Sequence, residues 1–437
     1  MADAAWRRLL RNAGYLLGGR VARDGMGLLA LALVARQLDP ASFGVLALLQ
    51  SYSLTVNGLF NFQSWQAVVR HGAAYDLATE QGRVATVGLL RFGFTFDAST
   101  ACIGAIVGLI AAGPVGTVLW GWEAETVMWA RLYCIVVLLD FTGTWTAALR
   151  LFDRFDLLAV QGLVAAAVKL TGVLWAVVQG WGLEGFITIW IAADLAGLIT
   201  SGLLALTAAA RIGVLGAPMA PLRQVAAQHR GIVPFLLTTN WHGTVRMVSK
   251  EADVLVVGGL LGPAGAGLYR IVKQVASLLP RASEPLYQAV YPELARLWSA
   301  GEHARFRQML NRSTAWAALA AFVACVLFAV WGKAVMALLL QPDYAEAHGA
   351  ALIYLVATGL AMASFAFHPA ALAMDRPAES FGVLLACTIL YFFVLAPMIS
   401  RWGLEGASAA YVVFYLSWVG ALRWRLSTHL KEAAAGA

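Results

Sequence analysis

Along this chain apolar residues gather in blocks of about 20, the length at which a helix crosses a ~30 Å hydrocarbon core. The pattern predicts spans at 13–36, 43–65, 84–112, 124–149, 157–180 and 184–210, then at 231–260, 264–286, 313–340, 347–372, 378–400 and 403–424. About twelve such helices with short connections define an all-α integral membrane protein, because only helices and closed barrels satisfy their own backbone in lipid. The first block follows Trp6, Arg7 and Arg8, is long and charged and lacks a small-residue cleavage site, so it reads as an uncleaved span.

Placing the loops alternately on two sides gives one side Arg7, Arg8, Arg11, Arg70, Arg83, Arg150, Arg154, Arg211, Arg223, Arg230, Arg296, Arg305, Arg307, Arg312, Arg376, Arg423, Arg425 and Lys431. The other side receives Arg36 and Arg401. That asymmetry expects both termini in the cytoplasm and an even number of spans.

The pattern also repeats. Trp-Gly-Leu-Glu-Gly at 181–185 returns at 402–406, and Phe152-Asp153-Arg154 is echoed by Met374-Asp375-Arg376. Leu38-Asp39-Pro40-Ala41 with Gly44 matches Leu261-Gly262-Pro263-Ala264 with Gly267. The offsets of 221, 222 and 223 predict two six-helix bundles, 1–210 and 231–437, joined by a basic cytoplasmic linker at 211–230 that holds Pro218 and Pro221. Six is even, so the halves insert alike and are related by a pseudo-two-fold along the membrane normal.

Composition agrees: of 437 residues 60% are hydrophobic and 13% charged, against about 25% charged in soluble domains, and mean hydropathy is +0.73. A sizeable soluble domain is excluded. Net charge is +7, but topology and attraction to anionic headgroups account for it without a nucleic-acid partner. Cys102, Cys134, Cys325 and Cys387 are scattered singly through apolar runs, so they read as small hydrophobes and not as a disulfide or metal framework.

What apolarity does not explain is a set of polar stripes. The second span carries Gln50, Ser53, Asn57, Asn61 and Ser64 at helical spacing, and its repeat partner carries Arg270, Lys273, Gln274, Ser277, Arg281 and Glu284. The first span sets Arg20, Arg23 and Asp24 on one face, and the seventh sets His242, Arg246, Lys250 and Asp253. Arg23 falls on Arg246 under the repeat, whereas Asp24 falls on Met247.

Ten basic residues sit well inside the spans: Arg20, Arg23, Arg91, Arg131, Lys169, Arg246, Lys250, Arg270, Lys273 and Arg281, with Lys333 nearer an interface. At about 2.5–3.5 kcal/mol for a charge at a helix centre, exposing all ten to lipid would cost roughly 30 kcal/mol, beyond an ordinary stability margin. The acids available to pair with them are Asp24, Asp97, Asp140, Asp194, Glu251, Asp253 and Glu284. Seven against ten leaves positive charge over, which suits an anionic guest in a cavity that the four striped helices share. The plainer alternative is helix glue: Arg20 with Asp24, Lys250 with Asp253 and Arg281 with Glu284 all have permissible spacing.

Gly14 with Gly18 and Gly104 with Gly108 predict close helix packing. Trp120, Trp122, Trp181 and Trp402 fall at outer boundaries as interface anchors, His368 reads as a satisfied polar residue, and 300–312 as a solvated cytoplasmic helix. No nucleotide-binding loop is present, since Gly332-Lys333 runs on into Ala334, and there is no H-E-x-x-H, G-x-S-x-G or C-x-x-C. These absences point away from an enzyme and toward a transporter.

The turn signature LLGPAGAGLYRIVKQVASLL at 260–279, the continuation PLYQAVYPELARL at 285–297 and the opening pair VARQLDPASFGVLALLQ at 34–50 resemble the polysaccharide transporters, or O-antigen flippases, of the multidrug/oligosaccharidyl-lipid/polysaccharide superfamily, which share the MATE-like fold. The resemblance covers essentially the whole chain. It implies a bacterial inner-membrane flippase, without cofactor, that carries undecaprenyl-diphosphate-linked O-antigen or exopolysaccharide units from the cytoplasmic to the periplasmic leaflet, in contact with membrane lipids and with polysaccharide polymerase and assembly proteins. It places the diphosphate at cationic cavity positions, which by helix and face are Arg20, Arg23, Arg246, Lys250, Arg270 and Lys273; the stripes add Arg281 to that set, with Gln50, Asn57, Asn61, Gln274 and Glu284 as polar lining. Asp24 and Asp253 are the candidates for a proton or sodium coupling step.

The rival within the superfamily is a cation-coupled multidrug exporter, whose usual cationic substrates the surplus of Arg and Lys would repel. A peptidoglycan-precursor flippase shares the diphosphate lipid but usually carries two more helices. A membrane polymerase using the same lipid would show a large periplasmic loop.

Overall fold

The computed structural model describes residues 2–62, 64–218, 225, 228, 229 and 231–435. Its helices are α1 (Ala2–Gln37), α2 (Pro40–Phe60), α3 (Trp65–Gly72), α4 (Glu80–Trp120), α5 (Ala124–Leu139), α6 (Thr142–Leu151), α7 (Phe155–Gln179) and α8 (Leu183–Arg211). They continue as α9 (Ile232–Ala276), α10 (Leu278–Ser299), α11 (His303–Leu339), α12 (His348–Ala363), α13 (Phe367–Ala373) and α14 (Pro377–Ala435), and no strand occurs among the described residues. Of the sequence-derived features, Pro221, Arg223 and Arg230 lie outside the described residues, as do the side chains of Trp6, Arg7, Arg8, Arg11, His242, Arg246 and Glu284.

Nine helical segments among the described residues are long and apolar enough to cross a membrane. Two of them contain a sharp kink, at Gly262 (φ 73°, ψ −178°) in α9 and at Gly403 (φ 56°, ψ −132°) in α14. Both angles lie where only glycine is at ease, and Pro263 then opens the second part of α9 with its missing N–H at a helix start. Splitting these two and adding α1 gives the predicted all-α fold of about twelve membrane helices.

The hydropathy pattern misses two interruptions. The predicted span 124–149 is two helices, α5 and α6, because Asp140 (ψ 73°) and Phe141 (ψ 39°) leave helical geometry. The span predicted at 347–372 is likewise divided into α12 and α13 by Ser364–Ala366. The corresponding span of each half is therefore broken.

The chain forms two compact units: Met1–Leu38 with Leu49–Ala252, and Asp39–Leu48 with Asp253–Ala437. In the first, α1 packs along α7, where Gly19 meets Ala159 and Gly162 meets the Arg23 side chain. Ala67, Val68, Leu89, Ala147, Ile232 and Leu236 form one buried cluster there. In the second, α10, α11, α13 and α14 close over Leu294, Phe306, Leu310, Phe367, Ala370 and Leu422.

The repeated Asp/Gly-Pro-Ala turn has a structural counterpart inside the second unit. A Cβ built on Gly44 would lie 1.7 Å from the Pro263 carbonyl oxygen, and one built on Gly267 would lie 2.2 Å from that of Pro40. Each glycine thus accepts the start of the helix that carries the other, a reciprocal contact related by a local two-fold. The echo at 152–154 and 374–376 is equally literal. Asp153 and Asp375 both take left-handed φ, 55° and 56°, and the following N–H donates back to Leu149 in one case and Ala371 in the other. These are helix stops of the Schellman kind.

Gly104 and Gly108 pack closely as expected, against Phe60 and against Cys134 and Val56, whereas Gly14 and Gly18 have nothing within 4 Å. Trp122 is buried against Tyr52 and Trp120 and is no exposed anchor, while Trp181 and Trp402 are exposed. The aromatic step from Trp120 to Trp122 folds under Gly116, so the local turn overrides the boundary position. His368 is satisfied by Ser380, 2.9 Å away.

Outside the membrane spans, Tyr75 OH and His229 Nε2 lie 2.7 Å apart, and the His71 and His229 rings sit 5.0 Å apart. Burial, with Arg70 beside it, lowers the His71 pKa, and burial, with His71 beside it, lowers that of His229.

Two outcomes are expected. Gly44→Val, whose side chain would meet backbone with nowhere to move, should lose at least the 1–3 kcal/mol typical of overpacking; Gly14→Val, in open space, should match the parent in detergent melting experiments. A histidine with a lowered folded pKa binds more protons unfolded, so stability should fall as pH drops below about 6.5 and towards the lowered values. His229→Gln should flatten that dependence, read as Tm between pH 5 and 8.

Candidate functional site

The interior chemistry centres on four carboxylates. Asp97 of α4 is fully buried. It accepts the Ser64 and Thr144 N–H groups at 2.9 and 2.8 Å and their hydroxyls at 2.8 and 2.7 Å. Ser64 is the N-cap of α3 and Thr144 lies in the first turn of α6. One carboxylate therefore receives the starts of two interior helices, where unpaired N–H groups and the positive dipole ends converge. Asp140, at the α5–α6 break, accepts Asn57 Nδ2 at 2.7 Å and the Thr142 hydroxyl at 2.6 Å, while its own carbonyl accepts Asn61 Nδ2. No basic side chain pairs with Asp97 or Asp140 among the described residues.

Asp194 of α8 accepts the Tyr133 hydroxyl at 2.8 Å and faces Lys169 Nζ at 3.7 Å, with that ammonium 4.9 Å over the Trp190 ring. Asp253, fully buried in the second unit, accepts Lys273 Nζ at 2.6 Å, Tyr269 OH at 3.0 Å and Tyr391 OH at 3.2 Å. Asp253 and Lys273 stand on opposite sides of the Gly262 kink, so the ion pair clasps the two arms of α9 together. Around it Tyr269, Tyr354, Tyr391 and Tyr411 form a ring-contact network, with Tyr354 and Tyr411 stacked at 4.5 Å.

The expected site residues fall into four groups. Arg23 and Lys250 are exposed, and Arg23 Nε lies 3.2 Å from Asp24 Oδ1. Arg20, Asp24, Gln50, Arg270, Gln274 and Arg281 are half-buried. Lys273, Asp253, Asn57 and Asn61 are committed to the contacts just described. Arg246 and Glu284 lie on α9 and α10 with side chains outside the described residues. Arg91 and Arg131, counted among the intramembrane cations, are exposed on the protein surface.

Spacing found the α2 stripe but not its duty, since Asn57, Asn61 and Ser64 all serve helix breaks. The roles of Asp97 and Asp140 had no pattern signal beyond their presence in an apolar run. Tyr269, Tyr354, Tyr391 and Tyr411 were missed because tyrosines at helical spacing read as ordinary core.

Long kinked helices, interior helix starts held by carboxylates and an internal repeat define an all-α multi-pass membrane fold, and that fold is seen in known structures. An inward-facing multidrug-resistance MATE family transporter of the MOP superfamily superposes with a TM-score of 0.70 at 12% identity, over 94% of this chain and 96% of that one. The lipid II flippase MurJ, in an inward closed conformation, gives 0.71 at 12% identity, over 94% of this chain and 87% of MurJ. The chain belongs to the polysaccharide biosynthesis protein family, whose model matches residues 9–298. Inner membrane protein YghQ of Escherichia coli (strain K12) is 29% identical over 296 residues, 68% of this chain and 82% of YghQ.

Asp253→Ala leaves the Lys273 ammonium, only 13% exposed, without its carboxylate and should destabilise by about 3–5 kcal/mol. Asp253→Ala combined with Lys273→Met should regain most of that loss in the same denaturation measurement.

Proposed function

We propose that this protein is an inner-membrane flippase that translocates undecaprenyl-diphosphate-linked oligosaccharide, an O-antigen or exopolysaccharide repeat unit, from the cytoplasmic to the periplasmic leaflet. The observation that carries the reading is that acids counted against the intramembrane cations are occupied by neutral donors. Two of the seven acids counted against the intramembrane cations, Asp97 and Asp140, take N–H, O–H and amide donors and pair with no cation among the described residues. These two acids therefore do not offset the basic stripes, and a diphosphate is a guest whose charge such stripes suit. Membership of the polysaccharide biosynthesis family and the MurJ-like fold support the same substrate class.

Six-helix halves, 1–210 and 231–437, joined through 211–230 would rock about the basic stripes to present the headgroup to alternate sides, with the polyprenyl tail left in lipid. Moving a diphosphate through hydrocarbon unaided would cost tens of kcal/mol, and side chains that substitute for water remove that cost. Arg20, Arg23, Arg246, Lys250, Arg270 and Arg281 are the diphosphate residues in this reading, and Asp24 is the place for proton or sodium coupling. The fold is shared with multidrug exporters, so the test must separate the two.

Arg23→Ala and Arg246→Ala should each abolish surface-polysaccharide export in a gene-deletion strain while remaining in the membrane, with lipid-linked oligosaccharide accumulating on the cytoplasmic face. Normal export by both variants would sink the cavity assignment, and unchanged glycan with raised drug sensitivity in the deletion strain would replace the flippase by an exporter.

A further inference from the structure

Apart from the polar stripes, a groove of about 730 Å³ opens where α10 turns into α11. Its size falls in the range of roughly 300–1,000 Å³ that small-molecule sites occupy. Arg296 in the last turn of α10 and Arg305 and Arg312 on α11 line it, together with Glu293, Glu302 and Trp316. Behind it stand the buried side chains of Leu294, Leu297, Phe306 and Leu310, so the rim is mounted on core and not on a loose loop. The turn itself is fixed by Gly301 (φ 73°) and by the Glu302 N–H donating to Leu297 O at 3.0 Å.

Electrostatics make the groove an anion receptor. Arg296 is held by Glu293 at 2.6 Å and Arg305 by Glu302 at 2.8 Å, each contact using one of the five N–H donors of its guanidinium. Arg312 pairs with no carboxylate among the described residues. Three arginines against two glutamates leave one positive charge uncompensated, with donors to spare.

What lies above the arginines says what kind of anion. Arg305, Gln308, Arg312 and Trp316 follow one face of α11 at helical spacing. The same face runs on through Leu319, Val323, Leu327 and Val330, which are 51%, 47%, 48% and 65% exposed on a helix apolar enough to cross a membrane. Cations, then an interfacial tryptophan, then bare hydrocarbon side chains is the polarity profile of a phospholipid standing beside the helix. A soluble anion would have no use for the apolar continuation.

We propose that this groove binds the phosphate headgroup of an anionic glycerophospholipid, with its acyl chains along Leu319–Val330. The proposal is independent of what the protein transports. The purified full chain in detergent, titrated with phosphatidylglycerol and followed by native mass spectrometry, should retain the lipid. Arg305→Glu with Arg312→Glu should weaken retention at least tenfold, and Arg307→Glu, exposed but off the groove, should leave it unchanged. Should the double variant misfold on size exclusion, Arg312→Gln carries the same test with a weakening of severalfold. Equal retention by the double variant and the parent overturns the site, as does an equal loss in Arg307→Glu. Equal retention of phosphatidylcholine overturns the anionic selectivity. Displacement by sn-glycerol 3-phosphate as effective as by the lipid overturns the role of the chains. Displacement by an equimolar polyprenyl diphosphate would assign the groove to that lipid instead.

Discussion

In hydrocarbon a helix that stops must find partners for the N–H groups it would otherwise leave bare, and no water is there to supply them. This chain stops helices inside its first unit after Phe60 and after Leu139, and it meets the obligation with carboxylates. Asp97 takes the starts of α3 and α6 together, and Asp140 fastens the second break to Asn57 on α2 and to Asn61 just past its end. That one buried acid ties α3, α4 and α6 together, because both helix starts reach the same carboxylate. The small residues nearby answer the same demand: a Cβ on Gly93 would lie 2.8–3.1 Å from Val68, Ser64 and Thr144.

The second unit solves a different problem, a helix that turns sharply at Gly262. Gly262 and Pro263 make the bend, and the reciprocal approach of Gly44 and Gly267 seats it. Lys273 then reaches back to Asp253 across the bend, with Tyr269 and Tyr391 filling the remaining acceptor sites of the carboxylate. A buried pair of this kind adds little net stability over well-packed apolar residues, but losing one member leaves the other uncompensated. Its geometric effect is to fix the angle between the arms of α9.

The number of helices, their order and the internal repeat were legible in the sequence because each rests on many residues at once: twenty apolar positions make a span, and three matches at nearly one offset make a repeat. The breaks were not, because one or two non-helical residues at Asp140 or Ser364 hardly change a windowed hydropathy. The polar stripes were half legible. Periodicity places Asn57, Asn61 and Ser64 on one face, but a hydrogen bond to a helix start and a wall of a cavity demand the same residue types at the same spacing. Gly14 and Gly18 show the converse, since the spacing that lets Gly104 and Gly108 pack against α2 and α5 lines nothing at the start of α1.

These contacts also rank the acids that a coupling step could use. A step that withdrew Asp253 from Lys273 would strand an ammonium among tyrosine hydroxyls with 13% of its surface exposed, at a cost of several kcal/mol, and would release the clasp across the α9 bend at the same moment. Withdrawing Asp97 would uncap two helices. Asp24 is half-buried beside the exposed Arg23 on α1 and has no acidic counterpart in the second half, where Met247 packs against Gly58 instead. Of the three it is the acid most open to solvent, with 27% of its side chain exposed, and in the proposed reading it lies next to an arginine of the diphosphate site, so that ion and substrate would act on one another through neighbouring side chains.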